Sequence, residues 1–344
     1  MIASRLLRIP ATLTLMSACA APIHAQEFCG IDSIFTNGYE VGGFTPITQI
    51  AGGGSSPGLA QSIVGVGTLS VTLTNPSTSN DAMLDITGTF VGPTNTGISV
   101  NGISGYTANG QFLVPGVTLA SGSNALSVTA TTLPGTTAST SGSITRSASV
   151  SPISVSVDRS LGYAPLADTF TYIVGPLAGG ASISNVAINF KGTGPNDYSG
   201  PLSGAPSTYI YQQPGLYTAQ FQFIDSNSVA YTVKRSVVIQ DVGGQRGMLC
   251  DVYGYLKDRL AVQDATGASS VFQSSEQSTF LAFFSALGSN MPAAASQLGV
   301  VVNGVMGVGY ADLLLVRDNT DQTRSGFPLR MSQTADGVWR ISEM

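Results

Sequence analysis

The residues best placed for chemistry lie near the C-terminus. Asp312, Arg317, Arg330 and Arg340 fall on three successive expected strands, with Tyr253 and Asp258 on an expected helix ahead of them. Arginines grouped this way can hold an acidic ligand through paired N–H donors. Trp339 is the one tryptophan of the chain and could offer a stacking surface. The competing reading is structural. Leu313 and Leu315 are out of phase with Asp312, Leu329 with Arg330, and Ile341 with Arg340. That alternation makes the charged residues a solvated outer face and Trp339 a packing residue. Asp251 and Asp258, seven apart on a helix, would have Cα atoms about 10 Å apart at 1.5 Å per residue. That is near the upper end for an inverting glycosidase, but no sugar-stacking aromatics surround them.

Other chemistries are narrowed by what the chain lacks. Its single histidine is His24, inside an expected leader. Without it, Ser-His-Asp and Cys-His nucleophiles are excluded, as are histidine zinc sites. No Gly-rich sequence follows a strand and opens a helix, so no phosphate cradle is expected. Neither a cofactor nor a metal is implied. A net charge of −5 without a basic cluster argues against nucleic acid as a partner.

The elements that must position these residues come last. Residues 246–344 hold 16 of the chain's 33 charged residues. Leu249, Val252, Leu256 and Leu260 fall at helical spacing, with Tyr253 beside them. A second helical segment is expected from Ser269 to Leu287, and a short helix from Asn290 to Leu298. The period then changes to two, predicting strands at Val300–Val308, Ala311–Arg317, Gly326–Ser332 and Val338–Glu343. Helices followed by antiparallel strands predict an α+β module, residues 242–344, with helices on one face of a sheet.

What precedes is poor in charge and rich in Gly, Ser and Thr. Arg5 and Arg8, the apolar run Ile9–Ala20 and a small-residue site ending at Ala25 read as a signal peptide, residues 1–25. Met16-Ser17-Ala18-Cys19 loosely resembles a bacterial lipobox, which would make Cys19 a lipid anchor instead. No later stretch is apolar for long enough to span a bilayer. Residues 26–61 are a tail and Gly-rich linker. Within them Ile34-Phe35-Thr36-Asn37-Gly38-Tyr39-Glu40 resembles a short tag of exported gammaproteobacterial proteins. With the leader removed, Cys29 and Cys250 remain. They either pair in an oxidising compartment or stay as two thiols.

Residues 62–150 show short alternating strands, such as Leu69, Val71 and Leu73, and a hairpin signal at Asn101-Gly102. The runs DITGTFVGPTNTGISVNG and GQFLVPGVTLASGSNALSVTATT resemble bacterial immunoglobulin-like domains of the glucodextranase-associated type. Residues 151–241 resemble the polycystic-kidney-disease (PKD) repeat. Ala164-Pro165-Leu166, Phe170, Asn189-Phe190, Tyr209–Tyr211 and Pro214-Gly215-Leu216-Tyr217 carry that likeness. Gly192-Thr193-Gly194 stands where the family has Gly-Asp-Gly, so the role of that Asp is not implied. The closing Asp336-Gly337-Val338-Trp339-Arg340-Ile341 resembles the last strand of cone-shaped NTF2-like domains. The first two resemblances imply spacers and binders, and the third implies a curved sheet around a pocket.

The expected architecture is therefore multidomain: two all-β immunoglobulin-like sandwiches, then a small α+β domain. The expected function is that of an exported, non-catalytic binding or scaffold protein, secreted, periplasmic or at the cell surface. It would present its last module on a two-sandwich stalk to a protein or glycan. Two alternatives stay open, an NTF2-like hydrolase or isomerase in the last module and a purely structural spacer. The residues proposed for ligand contact are Tyr253, Asp312, Arg317, Arg330, Trp339 and Arg340.

Overall fold

The computed structural model describes residues 29, 63–65, 67–147, 151–319, 321 and 323–344. The expected signal peptide, the lipobox at Cys19 and, apart from Cys29, the 26–61 tail and linker lie outside the described residues. The chain is mostly β-sheet with a few helices.

Nine strands come first: β1 Ser70–Leu73, β2 Thr78–Ser79, β3 Met83–Val91, β4 Gly97–Val100, β5 Ile103–Ser104, β6 Tyr106–Ala108, β7 Gln111–Thr118, β8 Gly122–Thr131 and β9 Thr137–Arg146. They build two sheets, ordered β1-β3-β7-β6 and β2-β9-β8-β4-β5. Alternation sends Ile86, Ile98, Val100, Phe112, Val114 and Val128 inward, where all are buried in one core. Asn101 and Gly102 turn β4 into β5 with φ of 50° and 81°, left-handed values that these two residues tolerate.

Eight strands follow: β10 Ile153–Val157, β11 Leu161–Tyr163, β12 Leu166–Val174, β13 Ile183–Asn189, β14 Tyr198–Gly200, β15 Thr208–Tyr211, β16 Gly215–Asp225 and β17 Ala230–Gln240. Their sheets are ordered β10-β12-β15 and β11-β17-β16-β13-β14. Ala219, Phe221 and Phe223 of β16 alternate inward and are fully buried. Phe170 packs between Phe190 and Phe221, with ring centroids 5.2 Å from each. Asp168 shares the inward phase of Leu166 and Phe170 on β12 and is itself fully buried.

The last segment opens with α1, Val242–Ala261. Asp241 caps it, accepting from the amides of Gly243 and Gly244. Next come α2 Ala265–Ser269, α3 Gln277–Leu287 and α4 Met291–Gln297. The antiparallel sheet β18 Val300–Gly307, β19 Tyr310–Asp318, β20 Arg324–Gln333 and β21 Trp339–Glu343 is ordered as in the sequence. Leu249, Val252, Leu256 and Leu260 of α1 share a core with Leu313, Leu315, Leu329, Met331 and Ile341 of the sheet. The continuous helix expected over 269–287 is corrected. Residues 270–276 leave the helical path because their backbone is used elsewhere. Phe272 bridges Ile341, the Gln273 amide donates to the Ile341 carbonyl at 3.1 Å, and the Ile341 amide donates to Val271 at 2.7 Å. This segment covers the free edge of β21.

The three groups of strands are packed together. Ile63 and Leu133 are buried in the core under α1, although neither belongs to the last segment. Asn95 is buried and reads the main chain of Trp339 on both sides. Its Nδ2 donates to the Trp339 carbonyl at 2.9 Å, and its Oδ1 accepts from the Trp339 amide at 2.9 Å. Beside it a Cβ on Gly97 would lie 2.3 Å from the Gly337 carbonyl carbon, so the two backbones touch where no side chain fits. Asp85 ties the first two groups, accepting from the Gly116 amide at 3.2 Å and from the Ser236 amide at 2.9 Å. Leu113, Leu161 and Val238 form a small core between them. Tyr163 donates its hydroxyl to the Gly307 carbonyl at 3.2 Å, joining the second group to the end of β18.

Candidate functional site

The four-stranded sheet has two unlike faces. Residues of odd and even phase along β19 separate them: Ala311, Leu313 and Leu315 are buried, whereas Tyr310, Asp312 and Leu314 are exposed. The inner face is filled by α1, the 271–272 segment and Phe284 of α3. The outer face is open. Register places Val300 opposite Val316, Val305 opposite Asp312, and Leu314 opposite Pro328. Val305 is 64% exposed and Leu314 42%, so apolar side chains stand on a face that water reaches. Gly326, opposite Val316, leaves a gap in that surface. The result is a shallow, open depression of about 480 Å³, lined by Gly304, Val305, Asp312, Leu314, Gly326 and Pro328 among others.

One rim of this face is charged. Arg330 lies opposite Asp312, 3.5 Å from its carboxylate, and also pairs with Glu343. The Glu343 hydrogen bond and charge, and then Asp312, hold the Arg330 guanidinium above its ordinary pKa. All three side chains are about half exposed, so this is a solvated network. At the far end Arg324 pairs with Asp318.

The other residues proposed for ligand contact lie elsewhere. Tyr253 is buried on α1, and its hydroxyl donates to the Gly299 carbonyl at 2.8 Å. Burial raises that hydroxyl's pKa, which leaves it a neutral donor. Arg317 lies over the Phe327 ring at 5.4 Å and donates to the Asn319 side chain at 3.2 Å. Trp339 packs into the core under the helices. Arg340 is corrected from a solvated residue to a buried one, 5% exposed. It donates to the Leu133 carbonyl at 3.4 Å, the Ser270 carbonyl at 3.5 Å and Asp336 at 3.1 Å. Desolvation lowers its pKa and Asp336 opposes that. Asp312 and Arg330 are thus brought together, and Tyr253, Trp339 and Arg340 do not join them.

Sequence reasoning passed over Val305, Leu314 and Pro328. A signal existed. Three consecutive leucines at 313–315 put apolar side chains on both faces of a strand, and a strand with one solvated face should not show that.

A disulfide joins Cys29 to Cys250 on α1, with Cα atoms 5.5 Å apart. Among the described residues, no three or more His, Cys, Asp or Glu side chains gather to hold a metal ion. No helix among them is long and apolar enough to cross a membrane.

No protein-family model matches the chain, and no curated protein does. Solved structures similar to it over about half of its length include immunoglobulin-like, fibronectin-like and bacterial surface-protein domains. The fibronectin(III)-like modules of Clostridium thermocellum CbhA are 16% identical, covering 50% of this chain and 95% of that one with a TM-score of 0.20. A putative membrane-anchored protein of Corynebacterium diphtheriae is 12% identical, covering 52% and 60% with a TM-score of 0.21. The Bacteroides ovatus protein SGBP-B, solved with a mixed-linkage heptasaccharide, is 16% identical, covering 48% and 42% with a TM-score of 0.17.

Proposed function

We propose that this is an exported, non-catalytic binding protein of a bacterial cell surface or periplasm, whose last module meets a protein partner through the outer face of its sheet. In this reading residues 62–150 are an immunoglobulin-like sandwich of the glucodextranase-associated type and residues 151–241 a PKD-like sandwich. Residues 242–344 are the α+β interaction module, NTF2-like in its closing strand. The observation that carries the reading is the exposed apolar surface of Val300, Val305 and Leu314 beside the Asp312–Arg330–Glu343 network. Apolar residues rimmed by polar ones mark contact surfaces. Export is supported by the Cys29–Cys250 disulfide, since such bonds persist in oxidising compartments. A hydrolase or isomerase would use the inner, concave side of an NTF2-like sheet, and here helix side chains fill that side.

The test is a Leu314→Asp variant of the full chain. Leu314 is exposed, so the fold should tolerate the change. Wild-type protein immobilised on beads should retain a cell-envelope protein that Leu314→Asp does not, with equal thermal stability of the two. Equal retention by both would sink the assignment of this face.

A further inference from the structure

We propose that Asn303 is a site of self-modification, at which the main-chain nitrogen of Gly304 attacks the asparagine side chain and converts it to aspartate and isoaspartate. The conversion needs no partner and no enzyme, so it holds whether or not the outer face binds a protein.

The chain has four Asn-Gly pairs, at 37–38, 101–102, 109–110 and 303–304. The first lies outside the described residues. The Asn101 side chain is held away from its glycine. Its Nδ2 donates to the Ala125 carbonyl at 3.1 Å and its Oδ1 accepts from the Ser127 amide at 2.8 Å. Asn109 sits at the β6–β7 hairpin with a φ of 51°. Asn303 is exposed on β18, at the register shift between Val301 and Asn303. Its Oδ1 accepts from the Gly304 amide at 2.8 Å. Among the described residues, Asn303 is the one member of these pairs whose side chain meets the amide of its own glycine. A C=O bond is about 1.2 Å long, so the Asn303 Cγ stands at most about 4 Å from the nitrogen that would attack it. Reaction calls for an approach of about 3–3.5 Å, a small rotation on a strand whose ladder the bulge already interrupts.

Packing explains why the neighbour is a glycine. A Cβ on Gly304 would lie 2.4 Å from the Leu313 side chain and 2.9 Å from the Asp312 carbonyl oxygen. β19 therefore excludes a larger residue, and a nitrogen with no side chain beside it is the least hindered nucleophile. The fold keeps the reactive dipeptide for a reason unrelated to its chemistry.

The step balances. Solvent hydroxide takes the Gly304 amide proton. The nitrogen bonds to the Asn303 Cγ, the Cγ–Nδ2 bond breaks, and Nδ2 leaves as ammonia after taking a proton from water. Water then opens the resulting cyclic imide. Cleavage of the new N–Cγ bond leaves aspartate, and cleavage of the main-chain N–C bond leaves isoaspartate. Nothing is oxidised or reduced. Either product puts a carboxylate in the lining of the outer-face depression, to which Asn303 belongs. From Gln277 to Ala311 the sequence has no Asp, Glu, Lys or Arg, so this would be the one charged side chain of that stretch. The chain would become one unit more negative than −5.

The experiment incubates the full chain, its disulfide intact, in mildly alkaline buffer beside a urea-denatured sample. Peptide mass spectrometry reads each Asn-Gly pair separately, and isoaspartate methyltransferase labelling reads the rearranged product. In the folded chain Asn303 should convert about tenfold or more faster than Asn101, whose two hydrogen bonds must first break. In urea the two should convert at similar rates. Asn303→Gln, at an exposed position, has a longer side chain that closes the ring poorly. It should lose the label at 303 with circular dichroism unchanged. A folded chain in which Asn303 converts no faster than Asn101 overturns the proposal. So does conversion to aspartate without isoaspartate, since direct hydrolysis would bypass the imide.

Discussion

Asn95 is the most informative residue to change. It sits in the first group of strands, is 2% exposed, and exchanges two hydrogen bonds of 2.9 Å with the main chain of Trp339. It behaves as a detached piece of strand, completing β21 where no neighbouring strand exists. Asn95→Ala removes both bonds at once and leaves the Trp339 amide and carbonyl buried without partners. A buried polar group stripped of its partner costs about 1–3 kcal/mol, so two cost roughly 2–6 kcal/mol. Water entering the vacated space would draw the loss toward the lower figure. With a urea dependence of roughly 2 kcal/mol per molar, a loss of 2–4 kcal/mol lowers the midpoint by about 1–2 M. The assay is built into the chain. Trp339 is its sole tryptophan, so its fluorescence reports the last module and this contact. The Trp339 transition should move by that amount. Hydrogen exchange should show the Trp339 amide losing protection first. A midpoint unchanged within the equivalent of ~0.5 kcal/mol, with Trp339 still protected, would refute the claim that the last module is locked onto the first.

Two further predictions follow from particular sites. A Cβ on Gly97 would press on the backbone of Gly337 and Val338, so Gly97→Ala should destabilise by about 1–3 kcal/mol or more, as overpacking does, with loss of the Gln333–Gly105 contact visible by exchange. An unchanged Trp339 transition would count against the close approach. Asp168 is fully buried, and its carboxylate oxygens lack hydrogen-bond partners. Burial first, then Asp158, push its pKa from 3.8 to about 6, while Arg159 with Nε 3.6 Å away opposes the rise. The folded form thus holds its proton more tightly than the unfolded one. That contribution is complete below pH about 4 and lost as pH rises through about 6, a change of at most ~3 kcal/mol. Asp168→Asn should flatten this dependence and raise urea resistance at pH 8, followed by circular dichroism. A variant less stable at pH 8 with the same pH slope would contradict it.

Local patterns in the chain determined most of the elements. Alternation placed Ile98, Val100, Phe221 and Phe223 inward, because a strand has a period of two and one wet face. Asn101-Gly102 determined its hairpin through tolerance of positive φ, and Leu249, Val252, Leu256 and Leu260 marked the buried stripe of α1. Even Asp168 was in phase with Leu166 and Phe170, though nothing local says that a carboxyl will follow apolar neighbours into a core. What failed was whatever depends on a second body. The helix expected over 269–287 broke because residues 271–273 bond to β21. Arg340 alternated outward as expected, yet the Leu133 loop covers the face it turned to. Ile63 entered the core under α1, far from its sequence neighbours. Two consequences were decided by tertiary structure alone. One is that Asn95 and Trp339, 244 residues apart, complete each other's hydrogen bonds. The other is that, among the described residues, β18 pairs with a strand on one side alone, its outer side meeting the Tyr163 hydroxyl at Gly307. Periodicity reports which side of an element is apolar, and it carries no information about which distant surface, if any, will come to cover it.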